Sequence, residues 1–88
     1  MDQMKIVIYV KARCQRCWRV KRLLRRRNYA FEVIDVSVDD EMRIWLVETT
    51  GSKTVPRVFV GGRLMGGFDE VRTLDRSGDL DRLVQGEV

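Results

Sequence analysis

At 88 residues, with 44 % hydrophobic and 34 % charged positions, the chain is read as one small globular domain over 1–88, not a disordered segment or a multidomain protein. Two cysteines, no histidine and no long apolar run argue against a disulfide-stapled secreted scaffold and against a membrane span. Met1-Asp2-Gln3-Met4 is short and polar and does not resemble a signal peptide, so the cytoplasm is the expected location.

Ile6-Val7-Ile8-Tyr9-Val10 closes a short apolar run from Lys5 that fits a buried strand. Lys11-Ala12-Arg13-Cys14-Gln15-Arg16-Cys17 follows, then a helix expected from about Gln15 to Arg27, with Cys17, Val20, Leu23 and Leu24 as its apolar stripe and Asn28 as its stop. Trp18 fits either the edge of the core or a docking surface beside the cysteines. Phe31 to Val36 largely alternates and is rich in strand formers, so it reads as a second strand, parallel to the first across a βαβ crossover. Ser37, Asp39 or Asp40 can cap the next helix, which reaches about Thr50 and ends at Gly51. Met42, Trp45, Leu46 and Thr49 lie at helical spacing, and Trp45 is assigned to the core. Pro56 opens a strand over Arg57-Val-Phe-Val60, Gly61-Gly62 reads as a hairpin turn, and Arg63-Leu-Met65 returns antiparallel. Gly66-Gly67 lets the backbone turn or approach a ligand closely. Asp69 is expected to cap a helix carrying Val71 and Leu74, Ser77-Gly78 breaks it, and Asp79 can cap a last short helix with Leu80, Leu83 and Val84. The order β-α-β-α-β-β-α gives an α/β fold: a four-stranded mixed sheet with helices on both faces.

Strand, loop, Cys-x-x-Cys and helix is the context in which two cysteines read as a redox dithiol. Disulfide exchange needs a thiolate. At a helix N-terminus, free N–H groups and the helix dipole favour an anion, and Lys11, Arg13 and Arg16 add positive charge. Cys14 is therefore expected to titrate in the roughly 3.5–7.5 range of activated cysteines. Cys17, one turn later, is placed to resolve a mixed disulfide. Other readings stand beside this one. Zinc normally takes four Cys, His or acidic ligands, and this chain offers two Cys and no His, so no metal is expected. A structural disulfide this close in sequence closes a tiny loop and stabilises little. A free, chemically idle pair is the remaining option.

The stretch from Lys11 to Arg27 holds nine Lys or Arg and no Asp or Glu, within a net charge of +4. It reads as a solvated helix face with Arg25, Arg26 and Arg27 well placed near the helix C-terminus, or as an electropositive surface attracting anionic thiols or acidic partner segments. No aromatic platform or nucleic-acid motif accompanies the charge, so nucleic acid is not an expected partner.

Three blocks together resemble the glutaredoxin family of the thioredoxin-like superfamily over nearly the whole chain: Lys11-x-x-Cys14-x-x-Cys17; Thr54-Val-Pro-Arg-Val-Phe-Val60; and Gly66-Gly-Phe-Asp-Glu70 with Leu74 and Ser77-Gly78. The resemblance implies a thioredoxin-like fold, glutathione as co-substrate, disulfide-containing or glutathionylated proteins as partners, and a monomer. It implies Cys14 as nucleophile and Cys17 as resolving thiol. Lys11 would help hold the glycyl carboxylate of glutathione, with Arg43 assisting, and Arg16 would border the ligand. In the Thr54-Val55-Pro56 segment, the Val55 backbone would pair with the cysteinyl group and Pro56 would be a cis-proline facing the site. Gly67, Phe68 and Asp69 would bind the γ-glutamyl end. The charges suit these roles: Lys11 and Arg43 would meet an anion, Asp69 an ammonium, and the free N–H groups opening the third helix the second carboxylate. Arg43 reads equally as a solvated helix residue.

Gln15-Arg16 departs from the Pro-Tyr that many dithiol members carry, which frees the helix start and adds charge beside Cys14. The implied function is a glutathione-dependent dithiol–disulfide oxidoreductase. Its alternatives are a redoxin recycled by thioredoxin reductase, serving ribonucleotide reductase or a similar acceptor, a [2Fe–2S] carrier ligated by two Cys14 thiolates and two glutathiones, and a basic binding module. The glutathione-type segment Gly66-Gly67-Phe68-Asp69 favours the first over the redoxin.

Overall fold

The computed structural model describes residues 3–86. Eight elements follow in order: β1 (Ile6–Val10), α1 (Gln15–Arg26), β2 (Glu32–Asp35), α2 (Asp40–Thr50), β3 (Arg57–Val60), β4 (Arg63–Gly66), α3 (Phe68–Ser77) and α4 (Asp79–Val84). The sheet order is β2-β1-β3-β4. β1 runs parallel to β2, in register Ile8 with Val33, and antiparallel to β3, with Ile8 opposite Val58. β4 closes the antiparallel edge, with a bulge between Val58 and Phe59. This is the mixed sheet expected from the sequence, and the last short helix expected after Ser77-Gly78 is α4.

β1 is apolar throughout because both of its faces are covered. Ile6, Ile8 and Val10 point into one core with Val20, Leu23 and Leu24 of α1, Val71 of α3, and Leu80 and Val84 of α4. Tyr9 points the other way, where it meets Val36 and Leu46, with Met42, Ile34 and Phe59 at the margin. Helices therefore cover both faces, α1, α3 and α4 on one and α2 on the other. The α1 stripe is buried at all four predicted positions. Burying one such aliphatic side chain is worth about 1.5–3 kcal/mol relative to exposure.

Several local expectations are corrected. α1 stops at Arg26, with Arg27 as its C-cap. Within α2 only Leu46 is buried: Trp45 is 41 % exposed, its ring tilted against those of Tyr9 and Phe59, and Thr49 is exposed. One thin layer cannot bury every position that helical spacing offers it. Asp39 caps this helix, its Oδ1 accepting from the Met42 N–H at 2.9 Å. The cap of α3 is Gly67, not Asp69, because the Glu70 carboxylate accepts the Gly67 N–H at 2.7 Å and starts the helix two residues sooner. Asp69 lies in its first turn. Gly78, not Asp79, caps α4. The Gly61-Gly62 turn takes φ of 57° and 81°, the left-handed pair that a two-residue hairpin needs.

Candidate active site

β1, an interior strand, ends at Val10, and the loop 11–13 carries the chain to α1. Arg13 sits at φ 57°, a left-handed conformation that costs a non-glycine residue about 1–2 kcal/mol. The loop is pinned by the Ala12 N–H, which donates to Ser37 Oγ at 2.7 Å. Ser37 is itself anchored, its N–H donating to Asp35 Oδ1 at 2.8 Å. Hydrogen bonds from Ser37, side chain first and main chain second, hold the Asp35 carboxyl below its ordinary value. Ser37 was not legible as a site residue, since only the fold brings it to the dithiol loop.

Cys14 is the N-cap of α1 and Cys17 lies in its first turn. The two are joined as a disulfide with Cα atoms 5.2 Å apart. The Cys17 N–H donates to Cys14 Sγ at 3.1 Å. Burial separates the pair: Cys14 is half-buried, whereas Cys17 is only 2 % exposed and packs in the core. An incoming disulfide can therefore reach Cys14 but not Cys17. The first turn of α1 holds no acidic residue, so none there opposes the positive charge at the helix start.

Opposite Cys14 runs the segment before β3. Cys14 Sγ lies 4.0 Å from the Val55 carbonyl, and the Val55–Pro56 bond is cis. The Val55 N–H has no hydrogen-bond partner among the described residues. Thr54 is exposed, its hydroxyl bonded to Ser52 and Arg57. Thr54, Val55 and Pro56 form one side of a cleft of about 340 Å³, and Gly67, Phe68 and Asp69 at the start of α3 form another. Gly66 takes φ 117°, and a Cβ there would lie 2.8 Å from Glu70 Cγ, so the chain can enter α3 this way only without a side chain.

Arg16 reaches across the same cleft. Its Nη1 donates to Asp69 Oδ2 at 2.9 Å, bridging α1 to α3. Arg16, through hydrogen bond and charge, holds the Asp69 carboxyl below the usual carboxylate range. Lys11 and Arg43 line a second groove together with Lys53, a cation the sequence reading missed. Arg43 donates to Ser37 O at 2.6 Å and pairs with Asp40, so it is held rather than freely solvated. Of the eleven predicted site residues, Arg16, Thr54, Val55, Pro56, Gly67, Phe68 and Asp69 line one cleft, which Cys14 meets at Val55, with Cys17 buried behind it, whereas Lys11 and Arg43 line the second groove.

A family model described as Glutaredoxin matches residues 6–65. The chain is 39 % identical over 79 residues to a glutaredoxin of Pseudomonas aeruginosa, covering 90 % of this chain and 94 % of the relative. It is 36 % identical over 84 residues to glutaredoxin 1 of Rickettsia felis, covering 93 % and 82 %. Among solved structures, it resembles the solution structure of a glutaredoxin from Brucella melitensis with a TM-score of 0.88 and 34 % identity, covering all of this chain and 97 % of the other. It also resembles the buckwheat glutaredoxin–glutathione complex with a TM-score of 0.86 and 31 % identity, covering 92 % and 76 %.

Proposed function

Because this chain belongs to the glutaredoxin family and is a dithiol thiol–disulfide oxidoreductase, we propose that glutathione is its reductant and that it reduces protein disulfides or glutathionylated proteins. The observation that carries the reading is the free Val55 N–H and its carbonyl beside the half-buried Cys14 sulfur. An unpaired main-chain N–H and C=O of this kind can pair with the backbone of a peptide thiol. Glutathione is a peptide thiol with two carboxylates and one ammonium. Lys11 and Arg43 then meet the glycyl carboxylate, with Lys53 adding charge. Val55 pairs with the cysteinyl unit, and Pro56 and Thr54 shape the wall behind it. The N–H groups of Phe68 and Asp69, which open α3 without main-chain acceptors among the described residues, take the γ-glutamyl carboxylate, and the Asp69 carboxylate meets the ammonium. The buckwheat relative forms a complex with glutathione, which supports this assignment.

The chemistry proceeds by two exchanges. The Cys14 thiolate attacks one sulfur of the substrate disulfide. That S–S bond breaks, a Cys14 mixed disulfide forms, and the displaced thiolate takes up a proton. The Cys17 thiolate then attacks the Cys14 sulfur, closing the intramolecular disulfide and releasing the second substrate thiolate. Two glutathione molecules reduce Cys14–Cys17, leaving oxidised glutathione.

The test compares recycling of the oxidised protein by glutathione with glutathione reductase against recycling by thioredoxin reductase, following NADPH loss, with Cys14→Ser as control. Rapid turnover with glutathione is expected. Turnover with thioredoxin reductase alone would reassign the Lys11, Val55 and Asp69 groups to scaffold.

A further inference from the structure

A separate groove leads away from the active site between α1 and α3. Its arginines come from both walls, Arg19, Arg22 and Arg26 from α1 and Arg72 and Arg76 from α3. The carboxylate in its lining, Asp75, is already held by two hydrogen bonds from Arg27, of 2.7 and 3.0 Å. Arg19, Arg22, Arg26 and Arg76 form no ion pair among the described residues, and Arg72 only approaches Asp69, at 3.9 Å. The groove therefore gathers cations that, among the described residues, no carboxylate neutralises.

Several of these guanidiniums are held in place. Arg19 and Arg72 lie over the Phe68 ring, 6.0 and 5.4 Å from its centroid, and Arg22 lies 5.4 Å from that of Trp18. Stacking orients the planar fork while leaving its N–H edges free for carboxylates. It also covers the ring faces that nucleobases would need. The two rings join the groove to the reaction centre, since Trp18 lines the recess that holds Cys14 and Phe68 lines the cleft of Val55 and Pro56. This answers what Trp18 does: it is 54 % exposed and marks the boundary between thiol and groove.

We propose that this groove docks an acidic segment of the protein substrate, a run of carboxylates adjacent in sequence to the cysteine that Cys14 attacks. A chain lying in the groove reaches Cys14 at the Trp18 end, so charge recognition and sulfur delivery belong to one continuous peptide. The proposal rests on the thiol–disulfide exchange alone and is independent of the reductant.

The test uses disulfide peptides that differ only in a run of Glu, Gln or Lys beside the cysteine, in single-turnover reduction by the pre-reduced protein, so that no recycling system enters. At about 0.01 M salt the Glu peptide is expected to react about tenfold faster than the Gln peptide, and the advantage to vanish at about 1 M, where charge is screened within about 3 Å. The variant Arg26→Glu/Arg76→Glu, whose changes lie away from the thiols, should remove that advantage and leave the Gln peptide within about twofold of its original rate. A Glu peptide with Ser in place of Cys should perturb the tryptophan fluorescence of the Trp45→Phe variant, in which Trp18 is the one tryptophan left, a readout that needs no turnover. Equal rates for the Glu and Gln peptides at low salt would overturn the proposal. So would a variant that slows both peptides alike, or an oligonucleotide that binds the unmodified protein more tightly than the Ser-containing Glu peptide.

Discussion

Arg16 stands where a ligand cation would go. Its guanidinium already satisfies Asp69, the carboxylate proposed to meet the glutathione ammonium, so ligand and side chain compete for one acceptor. Arg16→Gln should let the Asp69 carboxyl rise toward its ordinary value of 3.8, visible by NMR titration, and should lower the KM for glutathione severalfold with little change in kcat. A raised KM would instead make Arg16 a direct ligand contact. Cys17→Ser should abolish turnover of intramolecular disulfides while glutathionylated substrates are still processed, because glutathione can resolve the adduct on Cys14. The assay is parallel turnover of the two substrate types. Ser37 belongs to the same scale. Ser37→Ala removes the hydroxyl that receives the Ala12 N–H, so the loop before Cys14 loses its pin. The thiolate should then form at higher pH, read as a shift in the pH profile of Cys14 alkylation, with no loss of the α1 fold by circular dichroism.

Elements divide by how their information is spread along the chain. α1 was legible because its whole stripe lies on one helix, and Leu24 shows the consequence. It is fully buried, so Leu24→Ala should cost about 2–5 kcal/mol in urea unfolding with an unchanged slope. Ile44 on α2 is 59 % exposed, and Ile44→Ala should stay within about 0.5 kcal/mol. The same helical spacing misled at Trp45 and Thr49, since spacing reports which residues share a face and not how much partner surface that face finds. The dithiol was legible as a local motif, whereas the Thr54-Val55-Pro56 and Gly66-Gly67 segments drew attention through their resemblance to a known family. The Arg16–Asp69 bridge was not legible, because its ends are 53 residues apart and both could be solvated. The start of α3 was placed late for a related reason: Asp69 is a good cap by type, yet the Glu70 carboxylate reached back to Gly67 first.

For the whole molecule, stability should fall toward both extremes of pH. Burial, reinforced by the hydrogen bond it donates to Asp81 at 2.7 Å, pushes the Tyr29 hydroxyl up to about 12. The native protein keeps this proton above pH 10, where the unfolded chain releases it. The contribution is thus complete below pH 10 and disappears as pH rises through about 12. Tyr29→Phe should flatten the alkaline limb of urea midpoint against pH. On the acid side Asp35 and Asp69 both titrate below 3.8, so their contributions hold above that value and fade as pH falls beneath it. The sheet is also loaded unequally. Among the described residues, the face under α1, α3 and α4 carries thirteen buried core residues, whereas the face under α2 carries Tyr9, Val36 and Leu46. Amide hydrogen exchange should register this as separate opening events, with α2 exchanging through a sub-global opening of lower free energy than the one that releases α1. Such an opening would carry Arg43 away from Lys11 while the Cys14–Cys17 helix stays folded, so the reactive sulfur would outlast the proposed carboxylate site, and a bound carboxylate should slow exchange in α2 before it does so anywhere else.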